Sequence, residues 1–535
     1  MIRALRCGIL AVALTSFGLA AAPSLGAEPA RVQPASFAAA IAAIVARPAF
    51  AHAIVAAEVY DLDARRPIYA RGAQTLMEAA STTKLVTTGT ALALLGPGFT
   101  FTTPVYRTGP IDAAGVVHGD LVLVASGDPN LSQRIQPDGS LAFENEDHSY
   151  DGTYDTRAVP GDPLAVLRDL AAQVARSGVR QIDGRVVVDA SLFADAGPEA
   201  GTGAIVSPIV VNDNLVDVTV TPGARSGDPV ALKVSPQTAY VTFVSQATTA
   251  AAGTEPSIDF SADKTNADGS HTVTVTGTQP AGRAMLYAYR VPEPARFAQD
   301  AFAATLRAAR VGLNPPSPSR PFDPAAAAGD YIEANRVAEH VSPPLSQDVY
   351  VTLKVSDNLH AALLPYDWAI YVLHAKSDFL KVAFTRENAL LRSAGLDVSG
   401  AAQQDGLGGS AFFTPDFMVR YLAWARAQAW FAPFRHALPI LGVDGTLFNI
   451  QTGSPAKGKV FAKTGTWGSF NLLDGDGLVT KGLAGYLTTR HGRHLAFAFY
   501  INRMAGRSSV DPERDAAHFA GQTLGEMATD AYLRL

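Results

Sequence analysis

Hydrophobic and polar positions follow different periods in successive parts of the chain. Near the start, helical spacing covers residues 35–46, and apolar runs at residues 52–60 and 67–70 predict two short strands. Residues 81–95 then predict an apolar helix, which Gly96-Pro97-Gly98 ends. The first hundred residues therefore combine helices with strands.

Short segments of alternating apolar and polar residues dominate the middle of the chain, separated by glycine, proline and aspartate as in β-rich domains. The predicted strands are residues 101–107, 116–124, 181–189, 214–221, 230–234, 239–245, 271–277 and 284–291. One predicted helix, residues 163–176, lies among them. The polar residues 132–157 predict a surface loop. Its acids lack the spacing of a calcium loop and predict a solvated acidic surface: Glu144, Glu146, Asp147 and Asp151.

Helical spacing returns in the last part of the chain, together with three further strands. The predicted helices are residues 294–309, 347–372 with breaks, 381–393, 415–428 and 511–535. The predicted strands are residues 460–462, 482–488 and 494–501. Helical and mixed segments thus flank a β-rich centre, as expected where extra domains are inserted into an α/β domain.

The first 27 residues have the layout of a secretory signal. Arg3 and Arg6 precede an apolar run of small residues, and cleavage after Ala22 or Ala27 would fit the small residues there. The alternative is a buried or membrane-anchoring helix, although the run is short for a membrane span. The sequence predicts export to the periplasm or cell envelope.

The amino-acid composition excludes several kinds of functional site. The chain has 43 Lys and Arg against 49 Asp and Glu, a net charge of -6, which argues against a surface built to bind nucleic acid. Removing the signal would remove Cys7, the only cysteine, and with it any disulfide or thiolate site. The 11 histidines show no i, i+4 pair. We therefore predict no metal and no cofactor, and the acidic C-terminal helix predicts no stable membrane anchor.

Three segments fit Ser-x-x-Lys: Ser81 to Lys84, Ser261 to Lys264, and Ser454 to Lys457. Only Ser81 begins an apolar helix, where residues i and i+3 share one face and place the Lys84 amine within reach of the Ser81 hydroxyl. The alternative is a serine N-cap followed by a lysine that extends to solvent. A nucleophilic serine needs a base, and lysine serves only when burial or a second nearby cation lowers its pKa.

Two further motifs are candidates to complete such a site. Lys463-Thr464-Gly465-Thr466, on a predicted strand, contains the only Lys-Thr-Gly of the chain, and Lys463 is the candidate second cation. Ser356-Asp357-Asn358 follows the apolar residues 349–355, and in isolation it is more typical of a helix cap or turn than of a catalytic site.

Taken in order, the three motifs resemble those of serine β-lactamases and penicillin-binding proteins. The nearer resemblance is to the D-alanyl-D-alanine carboxypeptidase/endopeptidase family, the class C low-molecular-mass penicillin-binding proteins. It extends to Gly119-Asp120-Leu121, Gly127-Asp128-Pro129, Asn212-Asp213-Asn214, residues 405–410 and residues 442–447. The resemblance implies an α/β transpeptidase-like (β-lactamase-like) domain that is discontinuous in sequence, formed by residues 28–100 and 335–535. The β-rich residues 101–334, two domains, would be inserted between the Ser-x-x-Lys and Ser-x-Asn motifs.

The resemblance also implies roles for individual residues. Ser81 would be the acylated nucleophile and Lys84 its base, with Ser356 relaying a proton to the leaving D-alanine and Asn358 holding the substrate backbone. Lys463, Thr464 and Thr466 would bind the terminal carboxylate, with Gly465 between them. The backbone N–H groups of Ser81 and Thr466 would form the oxyanion hole.

Three departures from the family pattern concern the surroundings of the site. Leu359-His360-Ala361-Ala362 lacks the acid that relatives often place after Ser-Asp-Asn, and residues 472–481 suggest an insertion in a hairpin beside the site. Relatives that favour diaminopimelate have an acid before Asn212, with which neither Asp195 nor Glu199 aligns clearly.

The resemblance implies an exported serine D-Ala-D-Ala carboxypeptidase, with endopeptidase activity, that acts on peptidoglycan stem peptides and is acylated by β-lactams. Two alternatives remain: a catalytically silent cell-wall peptide-binding protein, and a β-lactam or ester hydrolase on the same fold. No motif supplies the water-activating base that the hydrolase would need.

Overall fold

The computed structural model describes residues 36–314, 322–469, 473, 477–505 and 512–535. The predicted signal peptide lies outside the described residues, as does most of the tip of the predicted hairpin insertion. Residues Phe37–Leu535 form one unit.

The strands are, in chain order, β1 (Ile54–Asp61), β2 (Arg66–Arg71), β3 (Met77–Glu78), β4 (Thr102–Arg107), β5 (Val116–Val117), β6 (Leu121–Val124), β7 (Gln181–Ile182), β8 (Val186–Asp189), β9 (Leu215–Thr221), β10 (Ala231–Ser235), β11 (Val241–Ser245), β12 (Thr248–Ala250), β13 (Asp259–Thr265), β14 (His271–Thr276), β15 (Thr278–Pro280), β16 (Met285–Arg290), β17 (Gly312–Leu313), β18 (Arg336–Val341), β19 (Ala401–Gln403), β20 (Ala411–Phe413), β21 (Val460–Ser469), β22 (Leu478–Thr488) and β23 (His494–Ala505). The α-helices are α1 (Phe37–Val45), α2 (Thr83–Leu94), α3 (Ala165–Arg176), α4 (Pro294–Ala308), α5 (Pro324–Ala327), α6 (Leu345–Lys354), α7 (Asn358–Tyr371), α8 (Phe379–Ser393), α9 (Pro415–Arg426), α10 (Phe431–His436) and α11 (Pro512–Arg534).

The central sheet joins the two ends of the chain. Its strand order is β2-β1-β23-β22-β21 and every pairing is antiparallel. Along β23, Phe497 and Phe499 pack in one core with α1 and α11, whereas Ala498 and Tyr500 pack in a second core with α2 and α9. Because both faces of the sheet are covered, β23 is almost continuously apolar rather than alternating.

Residues 102–341 contribute five smaller sheets. Their strand orders are β18-β4-β6-β8, β17-β7-β5, β10-β9-β16, β11-β14-β13 and β12-β15, and helices α3 and α4 pack in the same core as several of these strands. The last strand before α6, β18, pairs antiparallel with β4. The domain boundaries at residues 100/101 and 334/335 stay a prediction.

One predicted strand, residues 116–124, is two strands, β5 and β6. Between them the backbone at Gly119 lies close to Gly109. A Cβ added to Gly109 would fall 2.0 Å from the carbonyl oxygen of His118. This close approach of two chain segments ends the first strand and redirects the second.

The prediction of a surface loop over residues 132–157 is wrong in one respect, the solvent exposure of Asp147 and Asp151. Asp147 and His148 are buried, and Asp151 accepts a hydrogen bond from the Ala288 N–H (2.8 Å) and pairs with Arg290 at 2.6 Å. Asp151 is held by Arg290 and the Ala288 N–H from a distant segment, whereas Asp147 accepts hydrogen bonds from the N–H and hydroxyl of Ser149 close by. Glu144 and Glu146 are only partly buried. A pattern of polar residues cannot distinguish such buried pairing from exposure to water.

Among the described residues, no helix combines the length and apolar character needed to cross a bilayer.

Candidate active site

The nucleophile candidate lies on a tight turn. Ser81 is in a 3-10 turn, Ala80–Thr82, immediately before α2, and Ala80 adopts a left-handed backbone with φ 46°. A non-glycine residue in this region costs about 1 kcal/mol, which neighbouring contacts must offset. Gly408 provides one of them, since a Cβ there would lie 2.1 Å from the carbonyl oxygen of Ala80.

The loop that carries Gly408 is held by a carboxylate. Asp405 Oδ1 accepts hydrogen bonds from the backbone N–H groups of Leu407, Gly408 and Gly409, at 3.0, 2.6 and 3.2 Å. Gly408 has φ +101°, which strains any other residue. The motif at residues 405–410 therefore supports the turn that presents Ser81.

Lys84 lies one helical turn after Ser81 and is fully buried. Its Nζ donates hydrogen bonds to Ser81 Oγ (2.9 Å), to Asn358 Oδ1 (2.6 Å) and, at 3.4 Å, to Ser356 Oγ. Ser81 makes no capping bond to α2, whose N-cap is Thr82. The alternative of a serine cap with a solvent-exposed lysine is therefore wrong, because Lys84 points inward at the Ser-Asp-Asn motif.

The charge state of Lys84 follows from this position. Burial lowers the pKa of Lys84 to about 8, although Asp357, Glu199 and Asp405 act in the opposite direction. Burial rather than a second cation lowers this pKa, so that a minor fraction of the amine is neutral at pH 7. A neutral amine at 2.9 Å from a hydroxyl can accept its proton.

Ser356-Asp357-Asn358 lies between α6 and α7, and all three side chains are buried. Ser356 has φ 68°, and Asp357 caps α7 by accepting a hydrogen bond from the His360 N–H at 2.8 Å. Asp357 thus acts as a helix cap, and the role of the motif in the reaction stays a prediction. The cap orients the first turn of α7, and the left-handed Ser356 turns its hydroxyl towards Lys84.

Tyr150 supports the same loop from the segment that was predicted to be a surface loop. Its hydroxyl donates to the Ser356 carbonyl at 2.7 Å and lies 3.2 Å from Asn358 Oδ1. Sequence reasoning missed this residue because a lone tyrosine in a polar stretch carries no signal of its partner 206 residues away.

The Lys-Thr-Gly motif occupies β21, the edge strand of the central sheet. Gly465 allows β21 to pass the nucleophile turn, because a Cβ there would lie 2.7 Å from the carbonyl oxygen of Ala79. Thr464 and Thr466 line the cleft, and Thr464 Oγ1 donates to Thr446 Oγ1 at 2.7 Å. The two hydroxyls are thereby placed on the cleft wall near Ser81.

Lys463 differs from what the sequence suggested. It is fully buried, its Nζ donates to the Thr464 carbonyl at 2.8 Å, and burial, with Lys84 and Lys481, lowers its pKa well below the usual value. Lys463 is therefore not the cation that depresses the Lys84 pKa, and its amine stays beneath the cleft wall.

The motifs meet in one open cleft of about 920 Å³. Ser81, Ser356 and Asn358 lie on one side, and Thr464, Thr466 and Trp467 lie on the edge of β21. The remaining lining includes Asn145, Glu146, Asp147, Tyr150, Thr153, Asp155, Asn449, Ile450, Lys481 and His518. A cleft of this size accommodates an extended peptide.

His360 occupies the region where the sequence lacks the acid expected after Ser-Asp-Asn. Its Nε2 meets Asp213 Oδ1 at 3.2 Å, and His148 Nε2 meets the other oxygen of Asp213 at 2.6 Å. Burial alone would lower the pKa of His360, but Asp357 and Asp213 raise it to about 10. The Asn212-Asp213-Asn214 motif thus joins α7 to residues 132–157 through two protonated histidines.

This network also contains two groups that resemble metal ligands, Asp147 with His148 and Asp213, and Asp213 with Asp357 and His360. Both ring nitrogens of His148 face carboxylates, Asp213 and Asp217, and these acids with Asp147 hold its pKa well above the usual value despite burial. A protonated imidazole has no lone pair for a metal. The donor set therefore fits ion pairs, and the absence of a metal stays a prediction.

A five-stranded antiparallel sheet with helices on both faces, and three motifs that converge on one cleft, define a serine peptidase of the transpeptidase-like, β-lactamase-like class. A sequence profile of the D-Ala-D-Ala carboxypeptidase 3 (S13) family matches residues 37–522, so the chain belongs to that family. The predicted fold class is confirmed, and the chain is a serine-type D-Ala-D-Ala peptidase.

Individual relatives agree with this assignment. A D-alanyl-D-alanine carboxypeptidase of Actinomadura sp. (strain R39) is 29% identical over 464 residues, covering 81% of this chain and 77% of the relative. Carboxypeptidase DacB of Mycolicibacterium smegmatis is 28% identical over 483 residues, covering 88% and 81%. The crystal structure of penicillin binding protein 4 (dacB) from Haemophilus influenzae superposes with a TM-score of 0.68 at 20% identity, covering 90% of this chain and 97% of that one.

Proposed function

We propose that this protein is an exported D-Ala-D-Ala carboxypeptidase, and also a DD-endopeptidase, that cleaves peptidoglycan stem peptides and cross-links through an acyl-enzyme on Ser81. The observation that carries the proposal is the buried amine of Lys84, 2.9 Å from Ser81 Oγ, with a pKa lowered to about 8. A lysine in this state accepts the serine proton near neutral pH.

The acylation step uses the three motifs in turn. Ser81 Oγ attacks the carbonyl carbon of the penultimate D-alanine while Lys84 takes its proton, and backbone N–H groups of Ser81 and Thr466 stabilise the oxyanion. The proton then passes through Ser356 to the leaving nitrogen, the C–N bond breaks, and D-alanine leaves. Asn358 holds the substrate backbone, and the Thr464 and Thr466 hydroxyls bind the terminal carboxylate.

Deacylation returns the enzyme to its starting state. Water attacks the ester carbonyl while Lys84 takes its proton, and Lys84 then returns that proton to Ser81 Oγ as the C–O bond breaks. The shortened peptide leaves as a carboxylic acid, which ionises in solvent. In an endopeptidase reaction the leaving amine belongs to the neighbouring stem peptide instead of D-alanine, and the bonds that form and break are the same.

The same nucleophile supports acylation by β-lactams. Penicillin binding protein 4 of Haemophilus influenzae has been crystallised in complex with a β-lactam, and its fold is similar to that of this chain. We expect fluorescent penicillin to label the wild type, and Ser81→Ala to abolish the label.

Mass spectrometry of purified muropeptides tests the activity. The wild type is expected to remove 1 D-alanine from pentapeptides, about 71 Da, and to split cross-linked dimers, whereas Ser81→Ala leaves both unchanged. Ser454→Ala is a matched control, because Ser454 also begins a Ser-x-x-Lys match. Muropeptides that bind without losing D-alanine would instead select a silent binding protein, and rapid nitrocefin turnover would select a β-lactam hydrolase.

A further inference from the structure

The proposed reaction needs a cation for the carboxylate of the leaving residue, and Lys463 does not supply one at the cleft surface. Its side chain is fully buried and its Nζ is engaged by the Thr464 carbonyl. The nearby Lys84 and Lys481 further disfavour its charged form. The Lys463 amine therefore does not reach into the cleft beside the hydroxyls of Thr464 and Thr466.

Lys481 lies beside those hydroxyls on the neighbouring strand. In the antiparallel pairing of β21 with β22, Lys481 is opposite Thr466, and its Nζ donates to Thr466 Oγ1 at 2.5 Å. Its side chain is half-buried and lines the cleft. Of the described residues lining the cleft, it is the one lysine or arginine.

The stem of Lys481 is held against α11. An added Cβ at Gly521 would lie 3.4 Å from Lys481 Cε, so the glycine leaves room for the lysine stem between the helix and the sheet. This packing directs Nζ along the sheet towards Thr466 rather than into open solvent.

Burial lowers the pKa of Lys481 to about 8, and the nearby Glu146 raises it in part. At pH 7 the amine of Lys481 is therefore protonated in about nine tenths of the molecules. A carboxylate that enters the cleft would favour the charged form further, because opposite charges at close range stabilise each other.

We infer that Lys481 is the specificity-determining cation of the cleft: its ammonium binds the carboxylate on the leaving residue, next to the hydroxyls of Thr464 and Thr466. This inference rests on the proposed function, since it names the group that recognises the leaving side of that substrate. It makes a free carboxylate beside the scissile bond the feature that selects substrates.

A pair of thioester substrates isolates this contact. Both carry the same N-acyl-D-alanyl group, and the leaving thiol is thioglycolate in one and thioglycolamide in the other, so only the charge differs. Thiol release gives kcat/KM for wild type, Lys481→Met, Lys481→Arg and Lys459→Met. Lys459 is the matched control, an exposed lysine just before β21 that does not line the cleft.

Lys481→Met is expected to lower kcat/KM for the thioglycolate ester by about 10- to 100-fold, as for loss of a charge-assisted hydrogen bond. The thioglycolamide ester should change by less than about threefold, and Lys481→Arg should restore most of the discrimination. Lys459→Met should behave as wild type. Equal losses on both esters would show that Lys481 only supports Thr466, and no loss on either would show that it does not touch substrate, so both overturn the inference.

A D-Ala-D-Ala peptide is assayed in parallel. If the wild type releases no D-alanine, the proposed function fails whatever the thioesters show. If D-alanine is released but Lys481→Met keeps the charge discrimination, only the role of Lys481 fails.

Discussion

The pH dependence of acylation follows directly from the burial of Lys84. With a pKa of about 8, the neutral fraction of the amine is about 1% at pH 6 and about 50% at pH 8. If the neutral amine is the base, the acylation rate should rise about 50-fold between these values and only about twofold further by pH 10. A solvent-exposed lysine, with its usual pKa of about 10.4, would instead give a rise of about tenfold per pH unit throughout.

The assay is the second-order rate constant for covalent labelling by a fluorescent penicillin, measured from pH 6 to pH 9. Lys481 also titrates near pH 8 and would weaken binding of the penicillin carboxylate as it loses its charge. The measurement is therefore repeated in Lys481→Arg, where the cation is retained, so that the rising limb reports Lys84 alone.

Two results would contradict this reasoning. A rate that stays constant between pH 6 and pH 8 would mean that Lys84 is not the group whose deprotonation permits acylation. A rate that climbs tenfold per unit to pH 9 without levelling would mean that burial does not lower the Lys84 pKa.

Three further substitutions test the support of the site. Tyr150→Phe removes the hydrogen bond to the Ser356 carbonyl and should reduce kcat/KM for D-alanine release by about fivefold, equivalent to about 1 kcal/mol, with the thermal midpoint changing little. Gly408→Ala forces a Cβ against the Ala80 carbonyl and should destabilise the protein by about 3 kcal/mol in urea unfolding, and unchanged stability would refute the packing argument. His360→Gln removes a histidine whose folded pKa, about 10, exceeds its unfolded value, so its stabilisation is complete below about pH 6.5 and lost as pH rises through 10. The stability difference between wild type and His360→Gln should therefore be largest at pH 6 and shrink towards pH 10, and a difference that grows with pH would have the wrong sign.

The spacing of apolar and polar residues predicted a structural element correctly where the residues that define it are close in sequence. The helix that carries Lys84, and the reach of Lys84 to Ser81 in the turn before it, were predicted because apolar spacing and i, i+3 placement are local properties of the chain. The predicted positions of β22, β23 and α9 also agree with the structure to within a few residues, whereas the predicted strand 460–462 covers only the start of β21. Such ends depend on capping and on strand pairing, which spacing alone does not show.

The contacts that hold the site residues in place were not predicted, because they join residues that are far apart in sequence. Tyr150 reaches Ser356 across 206 positions, and His360 finds Asp213 across 147. Asp151 was predicted to face water because nothing near it in the sequence reveals Arg290, which pairs with it from 139 positions away. Polarity in a sequence says that a group needs a partner, not whether that partner is water or protein.

The sequence by itself determined the order of the three motifs, the helical turn that joins serine to lysine, and the membership in a class of proteins that these motifs indicate. The tertiary structure decided how far burial lowers the pKa of each lysine and where its amine points: Lys84 beside Ser81, Lys463 beneath the cleft wall, and Lys481 at the cleft surface. The physical reason is that a pKa depends on burial and on charges brought together from distant segments, which only the folded chain establishes.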